Sequence, residues 1–327
     1  MEPICQQKFN AQQLVTRFPA KLSDRNKNTV FGMSSPPGAV HAGTISFSRW
    51  RLMPLPETFG RGEGSPSFEL REKKFTYDPS TQDRVDWHLN FADYNLFFAH
   101  DGPLFAQDEM QVAEHPALAS LRQGLLESGL KPVTGEDGYP TPVLIMGFER
   151  RCDIATDPND AEGRPYGLYG NQFSIATEDV VRRATKIIDP PTISNILAVE
   201  APSWGRGRYT REQIESVLAT AYTGFAAAVF ESKENVASDV ETAVHTGYWG
   251  CGAYGGNPVL MTLLQMVAAC GSGINAFVFH SGSDSAAYKE ALEILEWMSP
   301  PGKGVKLDDL LSQIEGMWFE WGVGNGT

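Results

Sequence analysis

Beyond Val85 the chain alternates between short apolar runs and longer stretches in which apolar residues recur every three or four positions. The segments Val85–Phe91, Val143–Phe148, Ile193–Val199, Thr242–His245 and Ile274–Phe279 predict strands. The continuous run at 143–148 fits a strand covered on both faces. Helical spacing predicts a helix over His115–Leu130, with Leu118, Leu121 and Leu125 on one stripe. Thr177 fits an N-cap, followed at helical spacing by Val180, Val181, Ala184, Ile187 and Ile188. Thr210 and Gln213 form a capping box before a long helix whose apolar face is Ile214, Val217, Leu218, Ala221, Phe225 and Val229. Further helices are expected over Pro258–Ala269 and Asp284–Met298 and from near Leu307. Residues 20–45, rich in Ser, Pro, Gly and Asn, read as a loop or loosely packed arm, and Pro54–Pro66 as a second soft stretch. Repeated strand–helix–strand units imply an α/β sheet with helices on both faces. Such sheets take ligands at the carboxyl ends of their strands, so the chemistry is sought just after each strand.

Composition narrows the classes of function. A formal net charge of −13 argues against a nucleic-acid binder, which needs a basic face. It leaves phosphorylated small ligands open, because backbone N–H groups hold phosphates without lysines. The four cysteines, Cys5, Cys152, Cys251 and Cys270, lack zinc-ligand spacing and read as reduced thiols. His100, His115, His245 and His280 look scattered, and no metal is called for. The polar Met1–Val15 is no signal sequence, and Pro258–Cys270 is too short to span a bilayer. The expectation is an intracellular protein, cytoplasmic or nuclear, acting as a monomer away from membranes.

The richest segment is Thr246-Gly247-Tyr248-Trp249-Gly250-Cys251-Gly252-Ala253-Tyr254-Gly255-Gly256, between a strand and a helix opened by Asn257 and Pro258. Glycines admit close backbone approach, and a helix N-terminus adds unpaired N–H donors. Together they make a diphosphate cradle that needs no lysine. Trp249 and Tyr254 suit a sugar or base face. Gly250, Gly252 and Gly255 also match the dinucleotide pattern, but the acid expected about 20 positions on is absent, Asn275 standing there. A nicotinamide dehydrogenase is therefore disfavoured.

A second polar segment, Gln107-Asp108-Glu109, reads by itself as the start of a helix. Taken together, the two segments closely resemble poly(ADP-ribose) glycohydrolases. Thr246–Gly256 is similar to that family's glycine-rich segment, Ala221-Tyr222-Thr223-Gly224-Phe225 to its upstream helix motif, and Gln107-Asp108-Glu109 to its Gln-Glu-Glu signature. Phe91-Ala92-Asp93 resembles its Phe-Ala-Asn, with Asp93 and Gln107 separated by the family's fourteen positions. Met146-Gly147-Phe148-Glu149 sits where the family has a similar strand exit. The chain departs from the pattern at Asp93, at Asp108, and at Phe97-Phe98-Ala99, which stand where the family has three glycines.

The resemblance covers about residues 80–300. It implies a macrodomain-like three-layer α/β/α fold with a mixed, mostly parallel sheet. The first 80 or so residues are expected to pack on that core as an accessory segment, within one domain spanning 1–327. It also implies an enzyme that cleaves the ribose–ribose bond of poly(ADP-ribose), or acts on ADP-ribosylated protein, and releases ADP-ribose without a cofactor. Adjacent helical carboxylates diverge by about 100°, so Asp108 and Glu109 cannot flank one bond as in two-carboxylate glycosidases. A one-carboxylate mechanism fits better. The resemblance makes Glu109 the acid–base residue, Asp108 a partner of the leaving ribose, Gln107 a structural residue and Asp93 a contact of the distal ribose. The N–H groups of Gly252–Gly256 would hold the diphosphate, Tyr254 would pack on the ribose, and Phe279 is an adenine stacker or a core residue. Arg206 and Arg208 read as a solvated loop, with substrate phosphates as the alternative. Two other functions stay open: a non-catalytic ADP-ribose reader, and a hydrolase of single ADP-ribosyl groups.

Overall fold

The computed structural model describes residues 2–62, 64–77, 81, 83–202 and 205–324. The chain opens with β1 (Cys5–Asn10), α1 (Ala11–Arg17), α2 (Arg25–Ser34), β2 (Thr44–Arg49), β3 (Thr58–Gly60), β4 (Ser67–Arg71) and β5 (Arg84–Ala92). It continues through α3 (Gln107–Glu114), α4 (Ala117–Glu127), β6 (Gly135–Glu136), β7 (Tyr139–Pro140) and β8 (Val143–Ile154). Then come α5 (Gln172–Ile175), α6 (Glu178–Ala184), β9 (Thr185–Glu200), α7 (Arg211–Asn235), β10 (Glu241–Thr246) and α8 (Pro258–Ser272). The last elements are β11 (Ala276–His280), α9 (Ala286–Met298), β12 (Gly304–Lys306) and α10 (Leu307–Gly316).

Eight strands form one mixed sheet in the order β1-β2-β8-β9-β5-β10-β11-β4. The five strands from β9 to β4 run parallel, while β8 is antiparallel to both its neighbours and β1 pairs antiparallel with β2. The early chain thus supplies three strands of the central sheet, at both of its edges.

Alternate residues of β9 feed two separate cores. Leu197 and Val199 pack with α7 and α8, beside Trp87, Leu89, Phe225 and Leu264. Ile196 and Ala198 face the other layer, with Val112, Leu118, Leu121, Leu125 and Phe173. At about 25 cal/mol per Å² of apolar surface removed from water, these two layers are the main driving force for folding. Parallel strands sandwiched in this way have no wet face, which is why the strands before the site read as apolar runs.

Two expectations need correction. Residues 20–45 contain the helix α2, not only loop. The Asp24 carboxylate caps it by accepting from the Lys27 N–H at 2.9 Å. The buried Asn26 amide donates to the carbonyls of Phe173 (2.6 Å) and Ala176 (2.9 Å). Few apolar residues mark this helix, because polar tertiary bonds dock it. Ile187 and Ile188 are strand residues rather than helical ones. The helix ends at Ala184 and β9 begins at Thr185, with Ile187 opposite Cys152. Pro190 and Pro191 favour extended backbone ahead of them, and no helix can run through.

Candidate active site

Strands β9, β5, β10 and β11 end at Glu200, Ala92, Thr246 and His280 on one edge of the sheet. The segments that leave this edge carry the acidic residues and the glycine-rich turn.

Helix α3 begins at Gln107 and is stitched to β5 through its first turn. The Gln107 amide accepts from the Phe91 N–H and donates to the Leu89 carbonyl, both at 2.9 Å. The Asn90 amide donates to Asp108 Oδ1 (3.0 Å) and to Gln111 Oε1 (2.8 Å), and Gln111 returns a bond to the Leu89 carbonyl. The Ala106 N–H donates to Glu109 Oε2 at 2.9 Å. Ala106 has no side-chain acceptor, so only this return half of a capping box is made. At the other end, Arg150 Nε meets Glu114 Oε2 at 2.9 Å and the Ile154 N–H meets Glu114 Oε1 at 3.0 Å. The helix carrying the two acids is thus pinned at both ends.

Asp108 and Glu109 are 7 % and 4 % exposed. Burial raises both carboxyls above the ordinary carboxylate range, and for Asp108, pushed up to about 8, the neighbouring Glu109 charge adds to it. Two neighbouring carboxyls raised in this way influence each other's titration.

The glycine-rich turn is shaped by groups below it. Thr246 and Gln265 of α8 are hydrogen-bonded, and the Gln265 amide also donates to the Gly247 carbonyl at 3.3 Å. Gly250 and Gly255 have left-handed backbone, φ +74° and +69°. A Cβ on Gly250 would lie 2.5 Å from Ala201 Cβ, and one on Gly255 would lie 2.9 Å from the Gly324 nitrogen. Neither position accepts a side chain without moving its neighbour. The turn closes on itself, with the Gly255 N–H donating to the Gly252 carbonyl (3.2 Å) and the Gly256 N–H to the Gly250 carbonyl (2.9 Å). Those two donors are therefore occupied within the turn. Asn257 caps α8, accepting from Val259 and Leu260, with Pro258 in the first turn.

The two segments meet where the Tyr254 hydroxyl donates to Asp93 Oδ2 at 3.3 Å. Asp93 Oδ1 accepts from the Asn95 N–H at 2.9 Å. Glu200, at the end of β9, takes a bond from Thr134 Oγ1 at 3.4 Å. Burial, with the nearby Asp93 charge, raises its carboxyl pKa. Tyr169 reaches the backbone of Gln107 and faces Glu109.

Of the expected contacts, Trp249 and Phe279 lie in the interior, while Tyr248 and Cys251 are half-buried. Trp249 is 1 % exposed, its indole donating to the Val199 carbonyl at 3.1 Å. Phe279 is fully buried against Phe277, Tyr248 and Tyr288, which favours the core alternative over a stacking role. Tyr248 bonds the Asp284 carbonyl, and Cys251 packs against the core. Met146–Glu149 lies inside β8, where Gly147 marks a bulge and Glu149 accepts from the Ala42 N–H, rather than at a strand exit.

The histidines are not scattered. His245 lies between Asp86 (2.8 Å) and His280 (3.0 Å), and the buried His88 stacks on it at 4.4 Å. His115 reaches Ser194 at 3.1 Å. Register explains the grouping, since His88 is directly opposite His245 on neighbouring strands. Among the described residues no group of three or more His, Cys, Asp or Glu side chains is disposed to hold a metal ion. No helix there is long and apolar enough to cross a membrane.

The segment after α10 crosses the outside of the turn. The Gly322 N–H donates to the Gly255 carbonyl at 2.8 Å, and Trp321 stacks on Tyr209 at 4.2 Å. Arg208 lies over Trp318 at 4.3 Å and beside Glu320 at 3.8 Å. Trp318 is 62 % exposed. Trp318 and Trp321 line the 205–209 segment, and Trp321 with Phe319 also packs, half-buried, against the core.

Sequence reading passed over Lys27, Asn90, Tyr169 and Glu200. Asn90 stands two residues beyond His88 on the same face of a predicted strand, and that periodicity was its one available signal. Lys27 and Tyr169 come from remote segments and had none.

Fold and site together define an α/β protein of the macro domain fold with the acid pair and the glycine-rich turn at the carboxyl edge of its sheet. Residues 164–288, under half of the chain, match the family model described as poly(ADP-ribose) glycohydrolase, macro domain fold. The matched stretch contains the glycine-rich turn but not Glu109. Among solved structures the chain is similar to the poly(ADP-ribose) glycohydrolase of Thermomonospora curvata bound to the inhibitor ADP-HPD. Identity there is 14 %, over 88 % of this chain and 84 % of that one, with TM-score 0.44. It is also similar to the Deinococcus radiodurans glycohydrolase in complex with ADP-ribose, at 12 % identity over 89 % and 95 % of the two chains, TM-score 0.45.

Proposed function

We propose that this chain hydrolyses the ribose–ribose O-glycosidic bond of poly(ADP-ribose) and releases ADP-ribose, with Glu109 as its acid–base residue. The observation that carries the reading is the placement of a pinned, buried Asp108–Glu109 pair across from a glycine-built turn, the two linked by Tyr254 and Asp93. The family match over the turn supports it.

In this mechanism protonated Glu109 gives its proton to the leaving ribose oxygen as the glycosidic bond breaks. The resulting carboxylate takes a proton from the water that attacks the oxocarbenium-like carbon, which restores the acid. A carboxyl raised by burial is suited to both steps near neutral pH. Asp108 hydrogen-bonds the leaving ribose, Asp93 and Tyr254 hold the distal ribose, and Gln107 keeps α3 in place. Backbone N–H groups of the turn take the diphosphate, an arrangement compatible with the net negative charge of the chain. The protein works as one domain and as a monomer.

The test is incubation of the wild type and of Glu109→Gln with automodified poly(ADP-ribose), followed by detection of free ADP-ribose. Release by the wild type alone supports the reading. No release by the wild type, with ADP-ribose binding intact by calorimetry, would make the chain a reader. Equal release by both would remove Glu109 from its role.

A further inference from the structure

Lys27 is fully buried, among the largest side chains with no exposure. Its ammonium donates to the Ala99 carbonyl at 3.0 Å. A buried charge with one neutral partner is costly unless opposite charge lies near. The carboxylates facing it are Glu109, Asp24, Asp108 and Asp101, Glu109 most strongly. The segment it holds is the one that replaces three family glycines. Phe97 there has left-handed backbone at φ +57°, which is strained for a non-glycine residue. Other bonds brace it: Arg122 Nη1 donates to the Leu96 carbonyl at 2.6 Å, and the N–H groups of Ser23 and Asp24 donate to the Asp101 carbonyl at 3.0 Å.

We propose that Lys27 is a positioning residue for the acid pair, its ammonium fixing the 97–101 segment beside α3 and supplying the counter-charge to Asp108 and Glu109. The role rests on the glycohydrolase reading for its consequence in turnover, but not for its electrostatics. Other groups facing the pair are Asp93, Arg122, Tyr169 and the Asn90 amide. His100 and Asp101 stand beside Lys27. Lys27 and Arg122 are the cations among them, and Lys27 is the one that opposes ionisation loss at Glu109 most strongly.

The test reads the carboxyl carbons of Asp108 and Glu109 by NMR titration without substrate, assigned with Asp108→Asn and Glu109→Gln. In Lys27→Met the pair should titrate about one unit higher than in the wild type, and Lys27→Arg should restore most of the difference. Both limbs of the pH–kcat profile should move upward by a similar amount. An unchanged titration in folded Lys27→Met overturns the proposal. Should that variant fail to fold, the reciprocal measurement decides: in Glu109→Gln the Lys27 ammonium must titrate lower than in the wild type, and no change there overturns the proposal. A shifted titration in a protein without glycohydrolase activity would sink the functional reading and keep Lys27 in its role.

Discussion

The glycine-rich turn and the start of α3 lie at the same edge of the sheet but are built in opposite ways. The turn is made of backbone. Its shape comes mainly from left-handed glycines and internal N–H···O bonds among consecutive residues, with the capped helix α8 and its Gln265 behind them. The acid-bearing helix is made of side chains gathered from remote places: Asn90 from β5, Arg150 from β8, Lys27 from α2, Tyr169 from the segment before α5. A backbone-built site tolerates change in its surroundings but not within itself. A side-chain-built site depends on partners that local sequence does not reveal, and it gains from them a tunable proton affinity.

Substitutions should separate the two regions by what they change. The largest effect is expected of Glu109→Gln, with kcat on poly(ADP-ribose) down about 1,000-fold and ADP-ribose affinity within about threefold of the wild type. Calorimetry beside a release assay checks this, and a large loss of binding would mean that Glu109 holds ligand rather than moving protons. Next comes Gly255→Val, which puts a branched side chain at φ +69° against neighbouring backbone. It should weaken ADP-ribose binding about 10- to 100-fold and leave the pH profile in place. A shifted profile would show that the regions are not separable.

Asn90→Ala removes the donor to Asp108 and Gln111 and should destabilise the fold by about 1–3 kcal/mol in urea titration. It should also move the pH profile upward, because the lost bond favoured the ionised Asp108. The smallest effect is on stability against pH. Asp108 has its folded pKa raised from the ordinary value of 3.8 to about 8, so the folded protein binds more protons than the unfolded chain between those values. Stability is therefore present in full at the acid side of that window and falls as pH rises through it. Asp108→Asn should flatten that fall, by about 1 kcal/mol or one to two degrees in Tm between pH 7 and pH 8. Parallel Tm–pH curves would argue that the pair ionises without cost.

The same contrast explains what could be read from the chain alone. The strands at 143–148 and 193–199 and the long capped helix after Thr210 were legible because local period and caps agree with the fold. The turn was legible because its shape is set largely by consecutive residues. Helix α2 was not, since polar bonds to Phe173 and Ala176 dock it and no apolar stripe announces it. The Asp86–His245–His280 chain needed strand register, which no single segment carries. Trp249 and Phe279 were candidates for ligand contact, but the same large rings serve equally well as core.

The bond from the Gly322 N–H to the Gly255 carbonyl ties the turn to a segment more than sixty residues further along. That amide hydrogen exchanges with solvent only when the bond opens, so its exchange rate reports the order of the turn from outside it. It offers a spectroscopic handle on ligand-induced stiffening, read at a residue that need not touch the ligand at all.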